Sequence, residues 1–233
     1  MKRNFPSAAG NIKFEQDLIK QIAFHEAGHA AAIYLYNKQK QLPTVEFQIT
    51  ITKTDHAQAN SFASRTANHG DFVAMVEGGR LIQGLPVALI ESTNYFSLDE
   101  QDTYRTAFEA DMINLLVGPL AEAKYVALRD NECFSNNLIN VNALYNYGGK
   151  SDLEKVYDYL ESLISDARLI EEKMVELFNL AYQFIESPVH WRAIECLAGY
   201  ILDNSKNTIT CEEAIAVLDK STGEYFLGVD YSC

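Results

Sequence analysis

The chain has 233 residues, 48% of them hydrophobic, with 19 Lys and Arg against 32 Asp and Glu, a formal net charge of −13. So acidic a chain is poorly suited to phosphate backbones, which need clustered Lys and Arg, or to an anionic membrane surface. No apolar run approaches the ~18 residues that span a bilayer, and no apolar h-region follows Lys2 and Arg3, so no signal peptide is expected. In chain order, residues 14–38 read as a helix, with an apolar stripe through Leu18, Ile22, His25, His29, Ala32, Ile33 and Tyr36, ended by Leu42-Pro43. Residues 45–52 alternate apolar and polar with β-branched side chains, a strand pattern. Residues 54–70 read as a polar loop, and 72–92 as one or two strands broken by glycines and Pro86. Ser97 and Glu100 form a capping-box pattern that opens a long helix to about Arg129. Residues 130–147 read as mostly loop. Ser151 and Glu154 suggest a second capping box, with a helix to about Ser165; 167–187 is helical. Pro188 suits the start of another helix, and Thr210 with Glu213 caps the last. The expected fold is α+β, mostly α-helical, with a small β-sheet near the first helix and a helical C-terminal part. Cys133, Cys196, Cys211 and Cys233 form no CxxC pair and are expected as free thiols in a cytoplasmic protein.

His25-Glu26-Ala27-Gly28-His29 is an HExxH pattern inside the first predicted helix. Residues four apart project from one helix face, about one turn apart. Both imidazoles can therefore reach one zinc ion at about 2.0–2.1 Å. Glu26 is offset by about 100° around the axis, so it can address a water activated by the metal without ligating. Two histidines at consecutive stripe positions, buried without a shared partner, would leave ring nitrogens to satisfy; a metal ion satisfies both. Gly28, costly inside a helix by about 1 kcal/mol against Ala, suggests that a neighbour packs closely there.

A catalytic zinc site usually has three protein ligands. Asp152 is a candidate for the third: with Ser151 as N-cap it would be the first helical residue, held ionised by the positive helix end. An acidic residue in a first turn is equally ordinary helix chemistry, so spacing leaves both readings open. Glu122 continues the stripe Leu115, Gly118, Glu122, Val126. It is either a buried carboxylate that orients a ligating imidazole or a helix-surface charge. His56, His69 and His190 lack ligand spacing and read as surface or packing residues. Gly148-Gly149-Lys150-Ser151 matches the end of a P-loop, but Leu144 stands where its first glycine belongs, which compromises a phosphate cradle.

The stretch Ile22-Ala23-Phe24-His25-Glu26-Ala27-Gly28-His29-Ala30 resembles the zinc motif of the FtsH metalloprotease family. Gly149-Lys150-Ser151-Asp152-Leu153 is similar to that family's second motif, and Gly118-Pro119-Leu120-Ala121-Glu122 to a further helix segment, with Pro119 in place of an arginine. The segments 192–202 and 209–218 look like its final helices. The resemblance implies that Asp152 is the third zinc ligand and Glu26 the general base. It also implies a zincin-like peptidase domain over 1–233, with a zinc-site core at 14–165; a composition break near 166 suggests a helical subdomain at 166–220. The family's proteases join this domain to a membrane anchor and an AAA+ ATPase; with neither in these residues, hydrolysis independent of ATP is expected. The segments 54–95 and 130–147 are longer than the family's and read as a lid, a binding wall or plain surface loop.

The expected function is a zinc metallopeptidase acting on peptides or unfolded protein segments, added as a strand to the edge of the sheet at 45–52. His25, His29 and Asp152 would hold zinc, Glu26 would be catalytic, and Glu122 would orient. The alternative is a non-catalytic zinc module docking on a partner protease or ATPase. Neither nucleic acid nor membrane is an expected partner, and the oligomeric state is left open.

Overall fold

The computed structural model describes residues 8–53, 72–79 and 97–226. Helix α1 (Ala8–Ala31) starts before the stripe does. It continues as a π-helical stretch, Ala32–Tyr36, and a last α turn, Asn37–Gln39. The π segment, one turn beyond His29, was not expected; such segments insert a residue and widen the helix locally. The end is a Schellman closure: Gln41 is left-handed (φ 54°), the Leu42 N–H donates to Asn37 O at 2.9 Å, and the Gln41 N–H to Lys38 O at 3.2 Å.

Strands β1 (Phe47–Lys53) and β2 (Phe72–Gly78) pair antiparallel, from Phe47 opposite Gly78 to Lys53 opposite Phe72. A two-residue strand, β3 (Thr208–Ile209), pairs with the other side of β1. The order is β2-β1-β3. The strand expected at 45–52 is thus central, so the expectation of a free edge there is corrected: among the described residues, the edge of this sheet near α1 belongs to β2. The alternation of β1 buries Phe47, Ile49 and Ile51. The predicted loop at 54–70 and the second half of 72–92 lie outside the described residues.

Helix α2 (Leu98–Arg129) has the capping box expected at Ser97 and Glu100, and it runs through Pro119. It packs antiparallel on α1, with His25 beside Glu122 and His29 beside Asn114. The backbones approach closely: a Cβ on Gly28 would lie 2.8 Å from the Ala121 Cβ, and one on Gly118 would overlap the His29 ring. That is the reason for glycine within each helix. A 3-10 turn, Val141–Asn146, interrupts the expected loop and leads to α3 (Lys150–Leu163).

At the start of α3 the structure corrects the sequence. The N-cap is Gly149 and not Ser151, no side chain caps, and Asp152 is the third helical residue. Three further helices follow among the described residues: α4 (Ala167–Glu186, capped by Asp166), α5 (Pro188–Asp203, with Pro188 in its first turn) and α6 (Cys211–Phe226). Thr210 and Glu213 exchange backbone-to-side-chain bonds at the start of α6, as the pattern predicted. One buried apolar cluster extends from Ala23 through Ile49, Leu116 and Leu153 to Leu218.

Among the described residues the architecture is mostly helical with a small three-stranded antiparallel sheet. No described helix is long and apolar enough to cross a membrane. Cys133 and Cys211 are free thiols. Cys196 is disulfide-bonded, which corrects the expectation of four free thiols. His190 is a packing residue, stacked on Phe184 with Nδ1 3.1 Å from the Phe184 carbonyl. His56 and His69 lie outside the described residues.

Candidate metal centre

The α1 spacing puts His25 and His29 on the face that meets α2, with ring centroids 4.7 Å apart. Each imidazole is oriented through its Nδ1. His25 Nδ1 lies 3.0 Å from Glu122 Oε2, and His29 Nδ1 lies 2.8 Å from the main-chain carbonyl of Asn114. With Nδ1–H directed at those oxygens, both Nε2 atoms turn the same way. They face Asp152, at 3.3 Å from Oδ2 for His25 and 3.7 Å from Oδ1 for His29. One donor atom from each of the three residues lies within 4.8 Å of the others, a group that could hold a metal ion. All three are buried, at 8, 9 and 6% exposure; such burial is costly for polar groups that share no partner.

Asp152 reaches the histidines because the chain turns sharply before α3. Gly148 is left-handed (φ 67°), and a Cβ there would lie 3.0 Å from Glu122 Oε2 and 3.2 Å from the His25 ring. Only glycine combines that backbone with that proximity. Pro119 has a place here too: a Cβ on Gly149 would lie 2.8 Å from the Pro119 Cβ, so the proline backs the turn that delivers Asp152. Glu122 is buried at 8% exposure, beside His25 and not on the helix surface.

The donor set fits a divalent ion. It offers two imidazole nitrogens and a carboxylate, and each imidazole has its second nitrogen bonded to an oxygen, the usual support of a ligating histidine. Without a metal the same groups form a proton-bridged cluster. Burial alone depresses the His25 imidazole. The hydrogen bonds to Asp152 and Glu122, then the charges of Glu26 and Asp152, outweigh it and push it up to about 10 from 6.5. Burial alone would raise Asp152; the hydrogen bond to His25 and the charges of His29, His25 and Lys155 hold it below the usual carboxylate value.

A pH dependence follows. The folded value for His25 lies above the unfolded one, so protonated His25 stabilises the metal-free chain fully below pH 6.5, and that contribution is lost as pH rises through about 10. A ligating imidazole must be neutral. Metal uptake at pH 7.5 is therefore expected to release about one proton, and affinity to rise about tenfold per pH unit between 7 and 9. Titration calorimetry in buffers of different ionisation enthalpy measures the release; uptake without it would contradict a protonated resting His25.

The three residues lie in a cleft of about 480 Å³ that Ile22, Ile33, Gly148 and Tyr159 also line. Glu26 also lines it, and its Oε2 accepts a hydrogen bond from the main-chain N–H of Val76 at 2.7 Å. The outward face of β2 is apolar beside the cleft: Val73 is 54% and Met75 48% exposed. Two of these groups, the Asn114 carbonyl and the Val76 N–H, could not be read from the residue pattern, because main-chain atoms have no residue signature. Gly118 stands in the sequence on the stripe to Glu122; its place inside a helix, the same signal as for Gly28, marks its close packing on His29. Comparison with protein-family models, with curated proteins and with solved structures yields no match.

Proposed function

We propose that this chain is a zinc-dependent peptidase of the FtsH type, with a zincin-like site, acting on extended segments of peptides or unfolded proteins. The observation that carries the reading is the convergence of His25, His29 and Asp152, with both Nδ1 atoms tied to oxygens, in a cleft that residues of β2 also line. When bound there, zinc supplies Lewis acidity towards the scissile carbonyl and the attacking water. Glu26, on the same helix and lining the same cleft, takes the proton from the water and returns it to the leaving amine. Glu122 and the Asn114 carbonyl hold the two imidazoles in orientation. Glu122 also keeps Nδ1 of His25 engaged, which leaves Nε2 for the metal.

The substrate adds as a strand on β2, whose outer edge faces the cleft. An extended chain docked there has its main chain read by the strand, and Val73 and Met75 give its side chains apolar contact. A second reading, a zinc-holding module that docks on a partner protease or ATPase and cleaves nothing, draws on the engagement of Glu26 by Val76. Unfolded casein separates the two. The peptidase reading expects about one zinc per chain and casein cleavage that a chelator stops and zinc restores. A zinc-loaded chain that leaves casein intact supports the binding module.

A further inference from the structure

The hydrogen-bond pattern of the sheet fixes which groups of β2 face outward. In an antiparallel pair, residues alternate between bonding the partner strand and pointing away from it. The Gly79 N–H bonds the Glu46 carbonyl, so the odd-numbered residues of β2 address β1. The Ile51 N–H bonds the Asn207 carbonyl, on the β3 side of β1, so the odd residues of β1 turn away from β2. Val76 stands opposite Ile49, a pair that does not exchange ladder bonds. The N–H and C=O groups of Ala74 and Val76 therefore point out of the sheet, where an added strand would bond. An added strand lies about 4.8 Å away, with its carbonyl oxygen about 2.9 Å from the Val76 nitrogen. Glu26 Oε2 already sits there, at 2.7 Å.

We infer that Glu26 occupies, in the resting chain, the carbonyl position of the extended segment that docks on β2, so that docking and release of Glu26 are one event. The inference rests on the peptidase reading for what the released carboxylate then does, but not for the competition itself. Val76 N–H has one strong acceptor at a time. While Glu26 holds it, an incoming carbonyl meets an oxygen in its place. When the segment docks, the Val76 N–H passes to the substrate carbonyl and Glu26 becomes available to the water. Val76 is then a positioning residue acting through its main chain, and occupancy of the strand edge is reported directly to the base.

The test compares zinc-loaded Glu26→Ala with zinc-loaded Glu26→Gln, neither of which retains the carboxylate base. Gln keeps a carbonyl acceptor for Val76; Ala removes it. Fluorescein-labelled β-casein, followed by anisotropy, is expected to bind Glu26→Ala about fivefold more tightly, the worth of one neutral hydrogen bond. Amide exchange supplies a readout independent of substrate. The Val76 N–H is expected to be protected in the wild type and in Glu26→Gln, to exchange about tenfold faster in Glu26→Ala, and to regain protection there when casein is added. Equal casein affinities, no casein binding, or a Val76 amide indifferent to residue 26 would each overturn the inference. Tighter binding by Glu26→Ala with no cleavage by the wild type would keep it and remove the peptidase. Cleavage by the wild type with equal affinities would do the reverse.

Discussion

Glu26→Gln is expected to lower casein turnover by about a hundred- to ten-thousand-fold, the usual worth of a general base, with zinc content unchanged. The substitution is conservative for structure. Glutamine has the same length, and its carbonyl oxygen can take the 2.7 Å bond from the Val76 N–H, so α1 and β2 keep their connection. Glu26 is not among the converging donors, so removing its charge leaves the metal-holding atoms in place. What is lost is the capacity to accept and return a proton. Initial rates on casein, read beside elemental analysis of the same preparation, check both halves of the expectation. A Glu26→Gln chain that turns over at the wild-type rate would refute the mechanism.

Asp152→Ala is expected to reduce bound zinc from about one per chain towards none, with affinity weakened about a hundredfold or more, beyond the 10–100-fold range seen when supporting groups are lost. Among the described residues, Asp152 is the carboxylate that both Nε2 atoms face. Removing it leaves two imidazoles one turn apart, a weak pair. The His25 imidazole also loses its leading support for the proton, so its ionisation falls towards ordinary values in the metal-free variant. The third helical position is not the cap of α3, whose N-cap Gly149 makes no side-chain bond, so the helix itself is expected to persist. Titration of the metal-free chain with zinc, with circular dichroism as a control for folding, gives the result. If the wild type stays folded and takes up no zinc, the three residues are a buried ion-paired cluster and no metal site. Loss of binding confined to Asp152→Ala identifies the third ligand.

Some of this arrangement was legible before the fold was known, and the reason is periodicity. His25 and His29 repeat at the helical period, and Glu122 follows Leu115 and Gly118 on one stripe, so the histidine pair and the candidate partner could be named from spacing. The position of Asp152 was not legible in that way. Its approach depends on the left-handed Gly148, the 3-10 turn before it, and Pro119 from a different helix, and no local pattern encodes three segments meeting. The same limit explains the misplaced cap: Ser151 has the right side chain for a cap, but the backbone enters the helix two residues earlier. Strand order failed for a related reason. Alternation in 45–52 identifies a strand with one buried face, yet says nothing of its neighbours, and a partner of two residues is too short to show a period.

Two of the donors lie on α1 and the third on α3, separated by about 120 residues of chain that include β1, β2 and α2. A metal bridging them would hold together the two ends of a long loop in the folded chain. It would also set an order of assembly. During synthesis, or in refolding from the N-terminus, the histidine pair exists as soon as α1 forms. The centre cannot close until α2 has docked and the turn at Gly148 has delivered Asp152. Capture of an ion there would therefore be a late event that locks a core already built, and a nascent chain halted before α3 would carry the recognisable half of the motif without Asp152.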